Sequence, residues 1–62
     1  MYQFSNEDWL INIENTAAKV KEKYGSRSVD FVFSKYGANS ANDLNPANYS
    51  EVFNELHQMS VD

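Results

Sequence analysis

Ser28-Val29-Asp30-Phe31-Val32-Phe33-Ser34-Lys35-Tyr36-Gly37 is the stretch on which the fold class turns. Read with the two-residue period of a strand, Val29, Phe31 and Phe33 share one face and Asp30 and Val32 the other, and Val and Phe are both mediocre helix formers. Read at about 100° per residue, Val29, Val32, Phe33 and Tyr36 line one side and Phe31 alone falls nearly opposite. A strand needs a neighbour for its backbone groups, and the chain has no obvious pairing partner. The helical reading is therefore preferred, from about 27 to 36, with Ser26 or Ser28 as the cap and Gly37 as the stop.

The flanking segments carry plainer helix signals. Upstream, Ser5 is a good N-cap, and Asp8 three residues later completes an approximate capping box. Phe4 and Trp9 have the spacing of a hydrophobic staple. Trp9, Leu10, Ile13, Ala17, Val20 and Tyr24 then recur on one stripe. Glu7 and Asp8 in the first turn, and Lys19, Lys21 and Lys23 near the end, complement the helix dipole before Gly25. This predicts a first helix over 6–24. Downstream, Asn45-Pro46 opens a third helix over about 46–59, with Asn as N-cap and Pro at the first position. Its stripe is Tyr49, Val52, Phe53, Leu56 and Met59; Ala47, Asn48, Glu51, Asn54, Glu55 and Gln58 form the wet face, and Ser60-Val61-Asp62 frays. Between the second and third helices, Ser40 and Asp43 predict one helical turn over about 41–44, with Leu44 as a plug into the core.

The expected fold is all-α: a single small domain over 1–62, a compact three-helix bundle with one short extra turn. Its expected core is Trp9, Ile13, Val20, Tyr24, Val32, Phe33, Tyr36, Leu44, Tyr49, Val52, Phe53 and Leu56. Two large apolar residues do not fit this scheme. Ile11 lies well over 100° from the first stripe, and Phe31 opposes the second. Scattered exposed hydrophobes are ordinary on protein surfaces, and Tyr2 and Phe4 could cover one of the two. The alternative is a contact surface, toward a second copy or another protein. Fully burying one Phe is worth about 1.5–3 kcal/mol, a large share of a small domain's stability.

Composition narrows the chemistry. With 62 residues and no cysteine, disulfides and zinc-thiolate sites are excluded. His57 is the sole histidine and has no carboxylate cluster at ligand spacing, so no metal and no cofactor are expected. Ser50, Glu55 and His57 on one helix do not make a nucleophile–base–orienter arrangement by themselves. The expectation is a non-enzymatic protein with no evident small-molecule substrate. A net charge of −4 disfavours nucleic acid and anionic membrane. The second and third helices could be cast as a helix-turn-helix, with Asn48, Asn54 and Gln58 toward bases, but Glu51 and Glu55 would meet phosphates with the wrong sign. Asn48-Tyr49-Ser50 matches a glycosylation sequon, which without a secretion signal is read as a chance match; Tyr49 belongs to the core stripe. The apolar runs are too short to span a membrane, and Met1 to Phe4 lacks a signal-peptide pattern, so a cytoplasmic location is the default.

Lys35-Tyr36-Gly37-Ala38-Asn39-Ser40-Ala41-Asn42-Asp43-Leu44-Asn45-Pro46, followed by Tyr49-Ser50-Glu51-Val52-Phe53-Asn54-Glu55-Leu56, resembles small uncharacterised proteins encoded on conjugative transposons of Firmicutes. The shared pattern is Tyr-Gly-Ala, a Ser, Asp-Leu, then a Tyr and Val-Phe-x-x-Leu; it covers mainly the second half of the chain, with Glu14 to Gly25 fitting more loosely. The resemblance implies a bacterial mobile-element accessory protein and carries over no catalytic or ligand residue. The functional expectation is a protein–protein interaction module that binds a protein partner or itself, with Ile11, Phe31, Glu51 and Glu55 as interface candidates. The acidic pair would suit a basic partner. The runner-up is a nucleic-acid-directed regulator, either a small helix-turn-helix binder or an acidic decoy of a DNA-binding protein.

Overall fold

A computed structural model describes residues 5–61. Helix α1 spans Asn6–Tyr24, α2 spans Ser26–Lys35 and α3 spans Tyr49–Val61. Two single 3₁₀ turns, Ala41–Asp43 and Pro46–Asn48, lie between α2 and α3. No strand occurs among the described residues, so residues 29–33 are helical as the 3.6-residue reading predicts.

The start of α1 shows the expected capping box in full. Ser5 Oγ accepts from the Asp8 backbone N–H at 3.2 Å, and the Asp8 carboxylate accepts from the Ser5 N–H at 3.2 Å. Two of the helix's orphan donors are thereby satisfied. Phe4, the other half of the proposed staple, lies outside the described residues, as does Tyr2.

A single residue, Gly25, separates α1 from α2. Its φ of 95° lies in the region that L side chains avoid, and its N–H donates to Lys21 O at 2.8 Å to close α1. This corrects the expected cap of α2. Neither Ser26 nor Ser28 stands outside the helix; Gly25 is the N-cap and supplies no side-chain hydrogen bond. A one-residue joint leaves no room for a separate serine cap. Gly37, at φ 75°, ends the turn after α2 in the same way.

The third helix also differs from the expected 46–59. Asn45 Oδ1 accepts from Ala47 N–H at 3.0 Å with Pro46 at the first position, but the first turn is 3₁₀ and the α-helical ladder begins at Tyr49. At the far end Ser60 and Val61 remain helical rather than fraying, and Ser60 Oγ donates to His57 O at 2.8 Å; Asp62 is outside the described residues.

The four largest fully buried side chains are Ile13 and Val20 of α1 and Val52 and Leu56 of α3. Accordingly α1 packs most extensively on α3 and next on α2, whereas α2 and α3 meet over a smaller area. Val29, Val32 and Phe33 bury the inner face of α2. The connector contributes Leu44, buried as expected, and two alanines, Ala38 and Ala41, which seal the end of the core. The radius of gyration is 10.9 Å, against about 10.6 Å for a compact chain of this length.

Tyr24 is a correction to the expected core. It is 47% exposed, with Lys23 Nζ lying 5.4 Å from its ring centroid. It continues the stripe of Val20 by one turn, but α1 ends there and no neighbouring helix covers it. Trp9, Tyr36 and Phe53 are only half-buried and pack against the core from its edge. Substituting Leu56→Ala should cost about 2–5 kcal/mol, a large share of the about 3–5 kcal/mol that a core this small supplies. Tyr24→Ala should change stability by less than about 1 kcal/mol. Urea titration of the far-ultraviolet circular dichroism signal separates the two, and equal losses would contradict the burial pattern described.

Candidate functional site

Because α2 and α3 both lean on α1 and touch each other less, an open groove of about 460 Å³ lies between them. Its α2 side presents Arg27, Phe31, Val32 and Lys35, and its α3 side presents Glu55 and Met59. Phe31 is 63% exposed, among the most exposed of the large hydrophobes. Helical periodicity forces this: Val29, Val32 and Phe33 take the inward positions, and Phe31 is left pointing away from them. Lys35, one turn on, sets its Nζ 5.5 Å from the Phe31 ring centroid, a cation–π contact that leaves the ring edge free.

Lys35 also reaches across the groove. Its Nζ donates to Glu55 Oε1 in an ion pair between α2 and α3. Glu55 therefore does not belong to the wet face predicted for α3; it is half-buried and committed to an internal partner. The Lys35 ammonium holds its carboxyl below the ordinary value, against the opposing effect of partial burial. The second oxygen, Oε2, is shut off from solvent without a hydrogen bond of normal geometry. The Tyr36 hydroxyl makes a looser polar approach to the same carboxylate. That approach is the main reason its phenol is raised above 10.0, with burial and the charges of Glu55 and Glu51 adding to it.

The other interface candidates fall elsewhere. Ile11 is 57% exposed on α1 and does not line the α2–α3 groove. Glu51 is exposed near the start of α3. The structure thus places Phe31 and Glu55 on one groove and keeps Ile11 apart from it. Arg27 and Met59 complete that groove; by sequence pattern Met59 belongs to the core stripe of the third helix. Their meeting depends on the angle between α2 and α3, which no local pattern encodes.

No group of three metal-ligating side chains exists among the described residues, and none of the described helices is long and apolar enough to cross a membrane. The His57 ring stacks on Phe53 at 5.7 Å, and Phe53 in turn meets Trp9 edge-on at 6.0 Å. His57 is thus the outer member of an aromatic row.

The Lys35–Glu55 pair makes stability depend on pH in a definite direction. The folded carboxyl is lowered from 4.5, so the unfolded chain binds that proton more tightly. The pair's stabilisation is present above 4.5 and is lost as pH falls through the folded value. Urea midpoints of wild type and Glu55→Gln, compared from pH 7 down to pH 3, should converge as the acid limb is reached; a constant difference across the range would show that the carboxylate charge contributes nothing. No family model matches the chain, and neither a curated protein nor a solved structure matches it.

Proposed function

We propose that this chain is a non-enzymatic protein–protein interaction module whose contact surface is the α2–α3 groove around Phe31. One observation carries the reading: a phenylalanine that is 63% exposed stands over an open 460 Å³ groove that also holds Val32 and Met59. An aromatic anchor beside aliphatic floor residues, with charges at the rim, is the composition typical of the centre of a binding patch. The groove's polar groups are an ion pair, an arginine, a serine and a glutamine, which supplies hydrogen bonding for a docked segment and no nucleophile–base set.

The biological context we propose is that of an accessory protein of a bacterial mobile element. It rests on the resemblance of residues 35–56 to conjugative-transposon proteins. The residues of that stretch serve as turn, cap and core: Gly37 at positive φ, Leu44 and Val52 buried. They account for a retained fold and leave the activity to the groove.

Affinity capture from the native host with wild-type bait and with Phe31→Ser bait tests the reading. The substitution touches no buried residue of α2, so circular dichroism should stay unchanged while at least one co-purifying protein is lost, either the chain itself or a second species. Identical captured sets from the two baits would overturn it.

A further inference from the structure

The two exposed hydrophobes that the bundle leaves over carry opposite surroundings. On α1, the helical neighbours of Ile11 at three and four residues are Glu7, Asp8, Glu14 and Asn15, with Glu7 and Glu14 exposed. On α2, the corresponding neighbours of Phe31 are Arg27, Ser28, Ser34 and Lys35, and three of these four line its groove. Every lysine and arginine of the chain falls between residues 19 and 35. One apolar residue is thus framed by carboxylates and the other by cations, on helices that pack against each other in the same molecule. Lys35 is engaged by Glu55, and Asp30 lies beside Phe31 on the side away from the groove. Arg27 therefore remains as the groove cation without an ion pair among the described residues.

We infer that the occupant of the Phe31 groove is a second copy of this chain: the Ile11 face of one protomer, with Glu7 and Glu14, docks on the Phe31 face of its partner, with Arg27. This rests on the reading of that groove as a contact surface and names its partner. A two-fold arrangement that seats both faces at once makes the contact twice and closes the assembly, whereas one head-to-tail contact at a time would extend it. A standard interface buries about 800 Å² per partner. That is close to a fifth of the 4380 Å² of accessible surface, a large gain for a chain whose own core is small.

Two exposed charge reversals test the pairing. Arg27→Glu makes both faces acidic, and Glu14→Lys sets a lysine against the partner's Arg27 while Glu7 stays acidic. Arg27 is in the first turn of α2, where a carboxylate suits the dipole, and Glu14 is exposed in the middle of α1, so both variants should keep their helicity and melting transition. Sedimentation equilibrium should show self-association in wild type and about 10- to 100-fold weaker association in each variant alone, since every dimer then contains two like-charge contacts. An equimolar mixture restores opposite charges at both contacts, and it should pair to within about threefold of wild type. Salt dependence is not the readout, because the net charge of −4 gives a general repulsion that salt also screens. A wild type that stays monomeric at millimolar concentration overturns the self-pairing. So does unweakened association in either variant, or a mixture no tighter than its components. None of these outcomes by itself overturns the broader reading, which falls only if wild-type and Phe31→Ser baits capture identical sets.

Discussion

Ile13 and Val20 of α1 meet Val52 and Leu56 of α3 with none of the four side chains reaching solvent. This seam is the constraint on which the rest of the molecule depends. A chain of 62 residues has apolar side chains for one such seam, and spending them on the α1–α3 pair makes α1 the spine. Helix α2 is then held mainly through α1, joined to it by one glycine that fixes where it can point. The divergence of α2 from α3 follows from these two facts, and so does the groove between them. The candidate site is a by-product of how a small core is distributed, filled at its edges by residues the seam did not need.

The Lys35–Glu55 pair is the one ion pair described that crosses that divergence. Both side chains keep a third or more of their surface exposed, so its contribution to stability is of order 0–1 kcal/mol, as for other solvent-exposed pairs. Its effect on the surface is greater. It removes one carboxylate from the outer face of α3, places Lys35 over Phe31, and leaves Oε2 sealed without a full hydrogen-bond partner.

Much of the fold was legible because helix signals in this chain are local. Ser5, Asp8 and Gly25 bound α1 at the residues expected, and the spacing of Val29, Val32 and Phe33 decided helix over strand without reference to the rest. The exposure of Ile11 and Phe31 followed from the same periodicity. What was not legible depends on how helices end and cross. Tyr24 continues a stripe in sequence but outruns its cover in space. Ala38 and Ala41 are buried because the connector folds back over the core, and alanine carries too weak a hydrophobic signal to announce that. Glu55 sits at a polar position of α3 by pattern, yet α2 passes close enough for Lys35 to claim it. The cap of α2 was misplaced because serine preference assumes a loop before the helix, and here the loop is one glycine.

The charge layout bears on the nucleic-acid reading of the same surface. Binding to phosphates gains its free energy from several cations releasing counterions together. Of the five lysines and arginines, Lys35 is already paired with Glu55, and Lys19, Lys21 and Lys23 follow one another at alternate positions of α1, so they fan around the helix instead of forming one row. Helix α3, which a helix-turn-helix would lay in the groove of a duplex, carries Glu51 exposed in its first turn and no lysine or arginine. Its N-terminal end, the part such a helix directs at bases, is therefore negative. An acidic decoy meets the opposite difficulty, since the carboxylates near Ile11 and those on α3 are divided between helices and one of them is neutralised internally. A surface of mixed sign with an exposed aromatic at its centre is poorly matched to a uniform polyanion and well matched to a protein face that is itself mixed, which is why the interaction reading draws more from Phe31 and Arg27 than from any count of charges.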